Sequence, residues 1–454
     1  MNPREREIEA QPNEEKLVRA QRILYLTKDP ELIRRQIDGE QLSAVAPDQL
    51  IDNISTDVIS PNHSILTWTG KEKGHLGKYA LTSLAGGTIA PGDIMEGGFD
   101  TLVAGKSFAR GSSRIHAPLA LQDAGIKLII AQGERIFAEN CVNLRIHLVD
   151  FESEQAKRLL EGKSVHEEEL FSLLSSQSAE IMRSGNLLRY LKGIEEGRVS
   201  VPELSTTQRP MTIAEKIIAR NSLNSEGNMG IGTVKPGDEV VATPNIYYGY
   251  ELQTNATVKV LREEFGEEIE VRDPNKAFFY EDHTALLKDE RMATLRREQA
   301  GFAKPLGITV YEIDPVRGAP AICHTDMVEN HALPGQLVLG NDSHTCTVGA
   351  LNTLAVGKGA LDLAGALAYD KMVLAVPETI RINLTGKLPD GVSMKDFMLQ
   401  FGAMPQLKQG RVGSGRVFEF GGQALDEIPF DEQIKLTNMS IELLGFTGVI
   451  EPNQ

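Results

Sequence analysis

Three short apolar runs, "TLVAGKSF" (101–108), "IKLIIAQ" (126–132) and "RIHLVDF" (145–151), are separated by glycine-punctuated loops, and "APLALQDAG" (117–125) lies between the first two. Runs this short and this apolar read as buried strands, and the stretch between the first two has helical spacing. Strand, loop, helix, strand is the order of a parallel βαβ unit. Its crossover is right-handed, and its functional loop falls at the carboxyl end of the first strand. Here that loop is "ARGSSRIH" (109–116).

The same alternation returns from "MTIAEKIIAR" at 211. "DEVVAT", "KAFFY", "ITVYEI", "QLVLG" and "TIRINL" read as strands, and "HTALLKDERMATLRREQAG" and "LNTLAVGKGALDLAGALAY" as helices. The fold class is therefore α/β: several three-layer domains with mostly parallel sheets. The chain divides into a helical N-terminal extension (1–42), a first α/β domain (43–152), a helical linker (153–210) and a second α/β region (211–454). The extension reads as packed on its own protein.

A length of 454 residues exceeds one ordinary core, so two to four domains are expected. A net charge of −16 argues against a nucleic-acid binder, which needs a basic face. No apolar run reaches membrane-spanning length, and the start "MNPREREIEAQPNEEK" is too charged for a signal peptide. Cys141, Cys323 and Cys346 are far apart and odd in number, so they form no disulfide framework. The chain reads as cytoplasmic.

In "GSSR", Gly111 permits a tight turn and Ser112 and Ser113 open the next helix. Serine there is most simply an N-cap. The other reading joins free N–H groups at the helix start to Arg114, and together they would hold a carboxylate. A serine in that field can act as an alkoxide base toward a proton alpha to a carboxylate. His116 reads as a packing residue or as a support behind the site, not as a catalyst. A second constellation is scattered over "YEDHTAL" (280–286), "AICHTDMVEN" (321–330) and "LGNDSHTCTVGA" (339–350), each setting His near a carboxylate or after a strand-like run. Side chains of sequence neighbours in a strand point apart, so Asp282 and His283 are not expected to touch if they lie in one. A metal site among Asp282, His283, His324, Asp342 and His344 is not singled out by any ligand spacing, and no metal is expected.

"DNISTDVISP", "GKSFARGSSRIHAPLAL" and "RIFAENCVN" resemble the swivel domain, or small subunit, of the aconitase and isopropylmalate isomerase family. "MTIAEKIIAR", "VKPGDEVVATP", "DHTAL", "ICHTDMVEN", "LPGQLVLGNDSHTCTVGAL", "GKLPDGVSMKDF" and "LTNMSIELLGFTGVIEP" resemble the first two domains of its large subunit. The resemblance implies an aconitase-like fold with the swivel domain first, whereas single-chain aconitases carry it last. It also implies roles: Ser112 as the base, with Arg114 holding a substrate carboxylate. Asp282–His283 would protonate the departing hydroxyl, and His324–Asp342 and His344–Glu442 would be further acid–base pairs. Ser113, Ser343, Tyr250 and Glu251 would contact the substrate.

Relatives surround their substrate with a [4Fe–4S] cluster held by cysteines of a third domain. This chain's three cysteines are not at those positions, and the third domain is expected to be absent. No cofactor is therefore expected in this chain, with a cluster only if a partner domain supplies it. Tyr250-Glu251 stands where relatives have His-Asp or Gln-Asp, and Ile115 where a glutamate usually follows, which changes the pocket. The favoured expectation is a cluster-free lyase or isomerase acting on a small hydroxy- or unsaturated carboxylate. A split hydro-lyase with a partner chain and a non-catalytic binding relative are the alternatives. A homo-oligomer or a partner subunit is left open; nucleic acid and membrane are not expected as partners.

Overall fold

The computed structural model describes residues 16–452 except 69, 71, 112–114, 287–288, 315, 320 and 409–411. Three parallel sheets organise it. In the first, Ile23–Tyr25, Thr101–Val103, Leu128–Ile130 and His147–Val149 lie side by side in that order. The second runs Thr309–Tyr311, Ala277–Tyr280, Ile246–Tyr250, Leu337–Gly340, Leu354–Gly357. The third joins Thr379–Asn383, Val417–Gly421 and Thr447–Ile450. Two antiparallel pairs, Leu17–Val18 with Val165–His166 and Glu239–Ala242 with Met372–Ala375, complete the described strands. Central strands such as Thr101–Val103 and Ile246–Tyr250 are buried throughout, as parallel sheets covered on both faces must be.

Three expected elements differ. The stretch expected as a helical extension contains the helix Pro30–Ile37, capped by Asp29 and opened by a proline. It also supplies Ile23–Tyr25, the edge strand of the first sheet. That strand is three residues long and its helical spacing was accidental; pairing with Thr101–Val103 decides its form. The run "LNTLAVGKGALDLAGALAY" splits into the strand Leu354–Gly357 and the helix Ala360–Tyr369, because Gly357 and Gly359 interrupt it. In "HTALLKDERMATLRREQAG" the helix begins only at Glu290, where Asp289 caps it.

One continuous apolar cluster runs from Leu24 and Leu102 of the first sheet, through Leu188 and Leu191, to Tyr247, Leu339 and Leu363 of the second. Helices Ser176–Ser184 and Leu187–Glu195 of the segment expected as a linker are part of that packing, and its longest run without helix or strand is 196–212. A Cβ on Gly365 would meet Leu191 Cδ1, so glycine lets helices Leu187–Glu195 and Ala360–Tyr369 approach closely. Among the described residues no helix is long and apolar enough to cross a membrane.

Candidate active site

The chemistry-bearing residues collect at the carboxyl ends of three adjacent strands of the second sheet. Ile246–Tyr250 ends on Tyr250 and the next helix starts at Glu251. Ala277–Tyr280 leads to Asp282 and His283, and Leu337–Gly340 to Asp342, Ser343 and His344. Parallel strands deliver their ends to one edge, so residues nearly a hundred positions apart in sequence meet. At the last strand's end a Cβ on Gly340 would collide with Thr345 Oγ1 and the Tyr248 ring, so glycine is required for the chain to turn toward Asp342.

Asp282 and His283 do touch: Asp282 Oδ1 lies 2.6 Å from His283 Nδ1. The expectation of opposed side chains fails because both residues lie beyond the strand, with a turn beginning at His283, where the two-residue alternation no longer applies. Asp282 Oδ2 accepts from the Cys323 N–H at 2.7 Å, which orients the carboxylate. His283 Nε2 points to Asp342 Oδ2 at 3.3 Å, so this imidazole bridges two carboxylates. Burial alone would lower its pKa, but hydrogen bonds to Asp282 and Asp342 raise it to about 10. The same pairings hold Asp342 well below the usual carboxylate range against the opposing effect of burial. His283 is thus an imidazolium at neutral pH, a poised proton donor.

Asp342 is the hub of the cluster. Its Oδ1 accepts the His344 N–H at 2.8 Å and lies 3.5 Å from His324 Nδ1. His344 continues outward, with Nδ1 3.2 Å from Ser343 Oγ and Nε2 3.1 Å from Glu442 Oε1. The structure therefore brings together all three pairs that the resemblance implies: Asp282–His283, His324–Asp342 and His344–Glu442. It also adds the His283–Asp342 link, which no sequence spacing signals.

Tyr250 and Glu251 support His283 from below. The Tyr250 ring stacks on the imidazole with centroids 3.7 Å apart and planes at 16°. Glu251 is fully buried, and its Oε1 accepts the Thr284 N–H at 2.6 Å, holding the backbone just past His283. Burial raises the Glu251 pKa and the nearby Asp282 charge adds to it.

The loop 109–111 approaches this edge from the first domain. A cleft of about 450 Å³ is lined by Arg110, Gly111, Glu134 and Arg135 on one side and by Ser343, Ile441 and Glu442 on the other. Ala109 (φ 64°) and Gly111 (φ +102°) both take left-handed backbone here, and Thr56 N–H donates to the Arg110 carbonyl at 2.8 Å. Ser112, Ser113 and Arg114, the centre of the sequence argument, lie outside the described residues. His116 is buried edge-on to Trp68, as a packing residue should be.

Two groups bring metal-capable donors within 4.8 Å: Glu251 with Asp282 and His283, and Cys323 with His324 and Asp342. Hydrogen bonds already engage both oxygens of Asp282 and both nitrogens of His283, so protons satisfy most of these donors. Thiolates for a [4Fe–4S] cluster are a different matter. Cys141, Cys323 and Cys346 are all buried, and no group of them gathers among the described residues. Burial pushes the Cys346 thiol up to about 12 and the other two higher still. This set does not fit a cluster held by the chain's own described thiols.

Comparison with known proteins places both halves. Residues 95–154 match the family model described as the aconitase C-terminal domain, and residues 253–454 the aconitase family (aconitate hydratase) model. The chain is 32% identical over 244 residues to 3-isopropylmalate dehydratase large subunit 1 of Archaeoglobus fulgidus, covering 54% of each. It is 34% identical over 249 residues to the corresponding subunit of Pyrococcus furiosus, again 54% of each. With the methanogen homoaconitase large subunit of Methanocaldococcus jannaschii it shares 32% over 247 residues, 54% of each. The chain thus spans about half the length of the curated relatives it matches.

Proposed function

Because the chain belongs to the aconitase and isopropylmalate isomerase superfamily, we propose that it is a hydro-lyase or isomerase acting on a small hydroxy- or unsaturated carboxylate. In this reading Ser112, polarised by Arg114 and the helix N–H groups, takes the proton alpha to a carboxylate. His283 protonates the hydroxyl on the neighbouring carbon, and that hydroxyl leaves as water with its bonding pair. The C–H electrons form the double bond, so substrate loses one water. Serine ends protonated and His283 neutral; the reverse order adds water.

The observation that carries the proposal is the His283 imidazolium held between Asp282 and Asp342, whose neighbour Ser343 lines a cleft together with the loop leading to Ser112. His324 and His344 stand beside it on Asp342 and Glu442, ready to relay protons. Tyr250 and Glu251, expected as substrate contacts, serve here as supports of His283, while Ser113 and Ser343 remain candidates to touch substrate. The chain works as a cytoplasmic protein, with its swivel domain preceding the catalytic region.

A second reading is favoured by one observation. The relatives it matches are named as large subunits, and this chain covers about half of them. In that reading a partner chain supplies the cluster domain and the reaction is a split [4Fe–4S] hydro-lyase.

Ser112→Ala tests the first claim. Loss of a positioned base costs on the order of 10²–10⁴ in rate. Loss of a mere N-cap costs about 1 kcal/mol of stability and little rate. Formation of the unsaturated acid, followed by its ultraviolet absorbance, and the thermal midpoint are measured on the same variant. Near-normal turnover with a lowered midpoint would reject the serine base. Iron and sulfide assays on protein purified without oxygen separate the two cofactor readings: stoichiometric iron and sulfide, or activity restored only by a cluster-bearing partner, would establish the second.

A further inference from the structure

The cleft between the two halves carries two guanidiniums that the acid–base set does not use. Arg110 donates Nη1 to Asn53 Oδ1 at 3.0 Å and pairs with no described carboxylate. Arg135 opens the helix Arg135–Asn143, and its Nη1 bonds Glu139 Oε1 at 2.6 Å, one turn along. Its guanidinium carbon lies 5.1 Å from the centroid of the Phe446 ring, which belongs to the opposite half of the molecule. The other oxygen of Glu139 accepts from Lys358 Nζ at 3.0 Å, and the Lys358 side chain is only 7% exposed. Arg135 is therefore fixed by a helical ion pair, by an aromatic face and by a buried lysine behind its partner.

This fixing has a chemical consequence. A free arginine loses rotamer entropy when it is immobilised. Here that ordering is complete before any ligand arrives. Only Nη1 is engaged by described residues, so Nε and Nη2 keep their donors, and the side chain lines the cleft. Glu139 does not cancel the charge outright, because Lys358 shares the same carboxylate. Across the cleft stand Ser343 and Glu442, and Glu442 holds His344. The rest of the polar wall is acidic or neutral: Glu134, Glu442, Ser343 and Ser414. An anionic substrate entering such a site needs a cation on the first-domain side, and a pre-set planar fork is the group that holds a carboxylate by two bonds.

We infer that Arg135 anchors a carboxylate of the substrate, on the side of the cleft facing His344 and Glu442 and separately from the carboxylate assigned to Arg114. The inference rests on the proposed function. Glu139 and Lys358 act through Arg135 as positioning residues.

Calorimetric titration of the whole chain with succinate and with acetate tests it, on wild type, Arg135→Gln and Arg135→Lys, with thermal midpoints measured alongside. Loss of a hydrogen bond to a charged group corresponds to about a 10- to 100-fold weakening, and Arg135→Gln should weaken succinate by that factor. Arg135→Lys keeps the ion pair with Glu139 but loses the fork, so it should fold normally and still bind succinate more weakly than wild type. Should Arg135→Gln fail to fold, Arg135→Lys decides alone. Succinate bound equally by wild type and Arg135→Lys would overturn the assignment and leave the proposed function standing. A wild-type chain that binds neither acid would overturn both.

Discussion

Two clusters of charge lie within this molecule, and they are built in opposite ways. At the edge of the second sheet, Asp282, His283, His324, Asp342, His344 and Glu442 pair through imidazoles, whose protons can move, and the cluster opens into a cleft. At the seam between the first domain and the helix Ala360–Tyr369, Arg135, Glu139, Lys358 and Asp362 pair without any histidine. The first cluster is arranged for proton transfer and the second for holding two halves together. Net charge does not separate them, since both mix signs. The distinction is the presence of histidine.

The largest effect that would sharpen this contrast comes from the seam. Lys358→Met removes one of the two partners of Glu139 and the nearest cation to Asp362, 3.9 Å away, and leaves the Asp362 carboxylate buried without it. Breaking a buried pair in this way costs about 3–5 kcal/mol. The expected result is a large fall in the urea midpoint with the Asp282–His283 geometry intact; an unchanged midpoint would mean that the seam is not a staple.

The next effect belongs to the site and concerns pH. The His283 pKa is raised from its ordinary value of 6.5 to about 10, so its contribution to stability is fully present below about 6.5 and is lost as pH rises through 10. The seam behaves otherwise. Burial alone would raise Glu139, but Lys358 and Arg135 bring it down to about 2, so its contribution is lost as pH falls from about 4.5 toward 2. Asp362 opposes this, pushed up to about 6 by burial, and its charging weakens the fold between about 4 and 6. Urea midpoints across this pH range, with a histidine NMR titration assigned by a His283→Gln variant, check all three. A His283 resonance that titrates near 6.5 would break the contrast.

The smallest effect is at Tyr250. Tyr250→Leu removes the ring stacked on the imidazolium, an interaction of about 0.5–2 kcal/mol. It should lower the His283 titration point by up to about one unit while leaving the seam and the urea midpoint nearly unchanged. The same NMR titration reads it.

The fold class was legible because buried parallel strands announce themselves as short apolar runs between helices, and "TLVAGKSF", "KAFFY" and "QLVLG" all form strands within those bounds. What escaped were strands whose form is set by a distant partner, such as Ile23–Tyr25, and Ile246–Tyr250, where three tyrosines hide the apolar signal. At the site, each His–carboxylate pair could be named from its motif, yet the Asp342 hub could not. His283 and Asp342 are 59 positions apart, and only the parallel order of two strands flanking Ile246–Tyr250 sets them 3.3 Å apart. Arg135 sat in a quoted motif, but its value depends on Phe446 and Lys358, which no local pattern connects to it.

The seam also dictates an order of events during synthesis. All four strands of the first sheet are complete by residue 149, so that sheet can assemble while the rest of the chain is still being made. Glu139 then waits for Lys358, 219 positions later. Until the second sheet and its helix Ala360–Tyr369 emerge, the nascent first domain shows a carboxylate paired on one oxygen only, with Arg135, and an uncovered apolar face at the surface that will become the seam. Closure of the molecule is thereby made the last step, performed by the half that also brings the histidines.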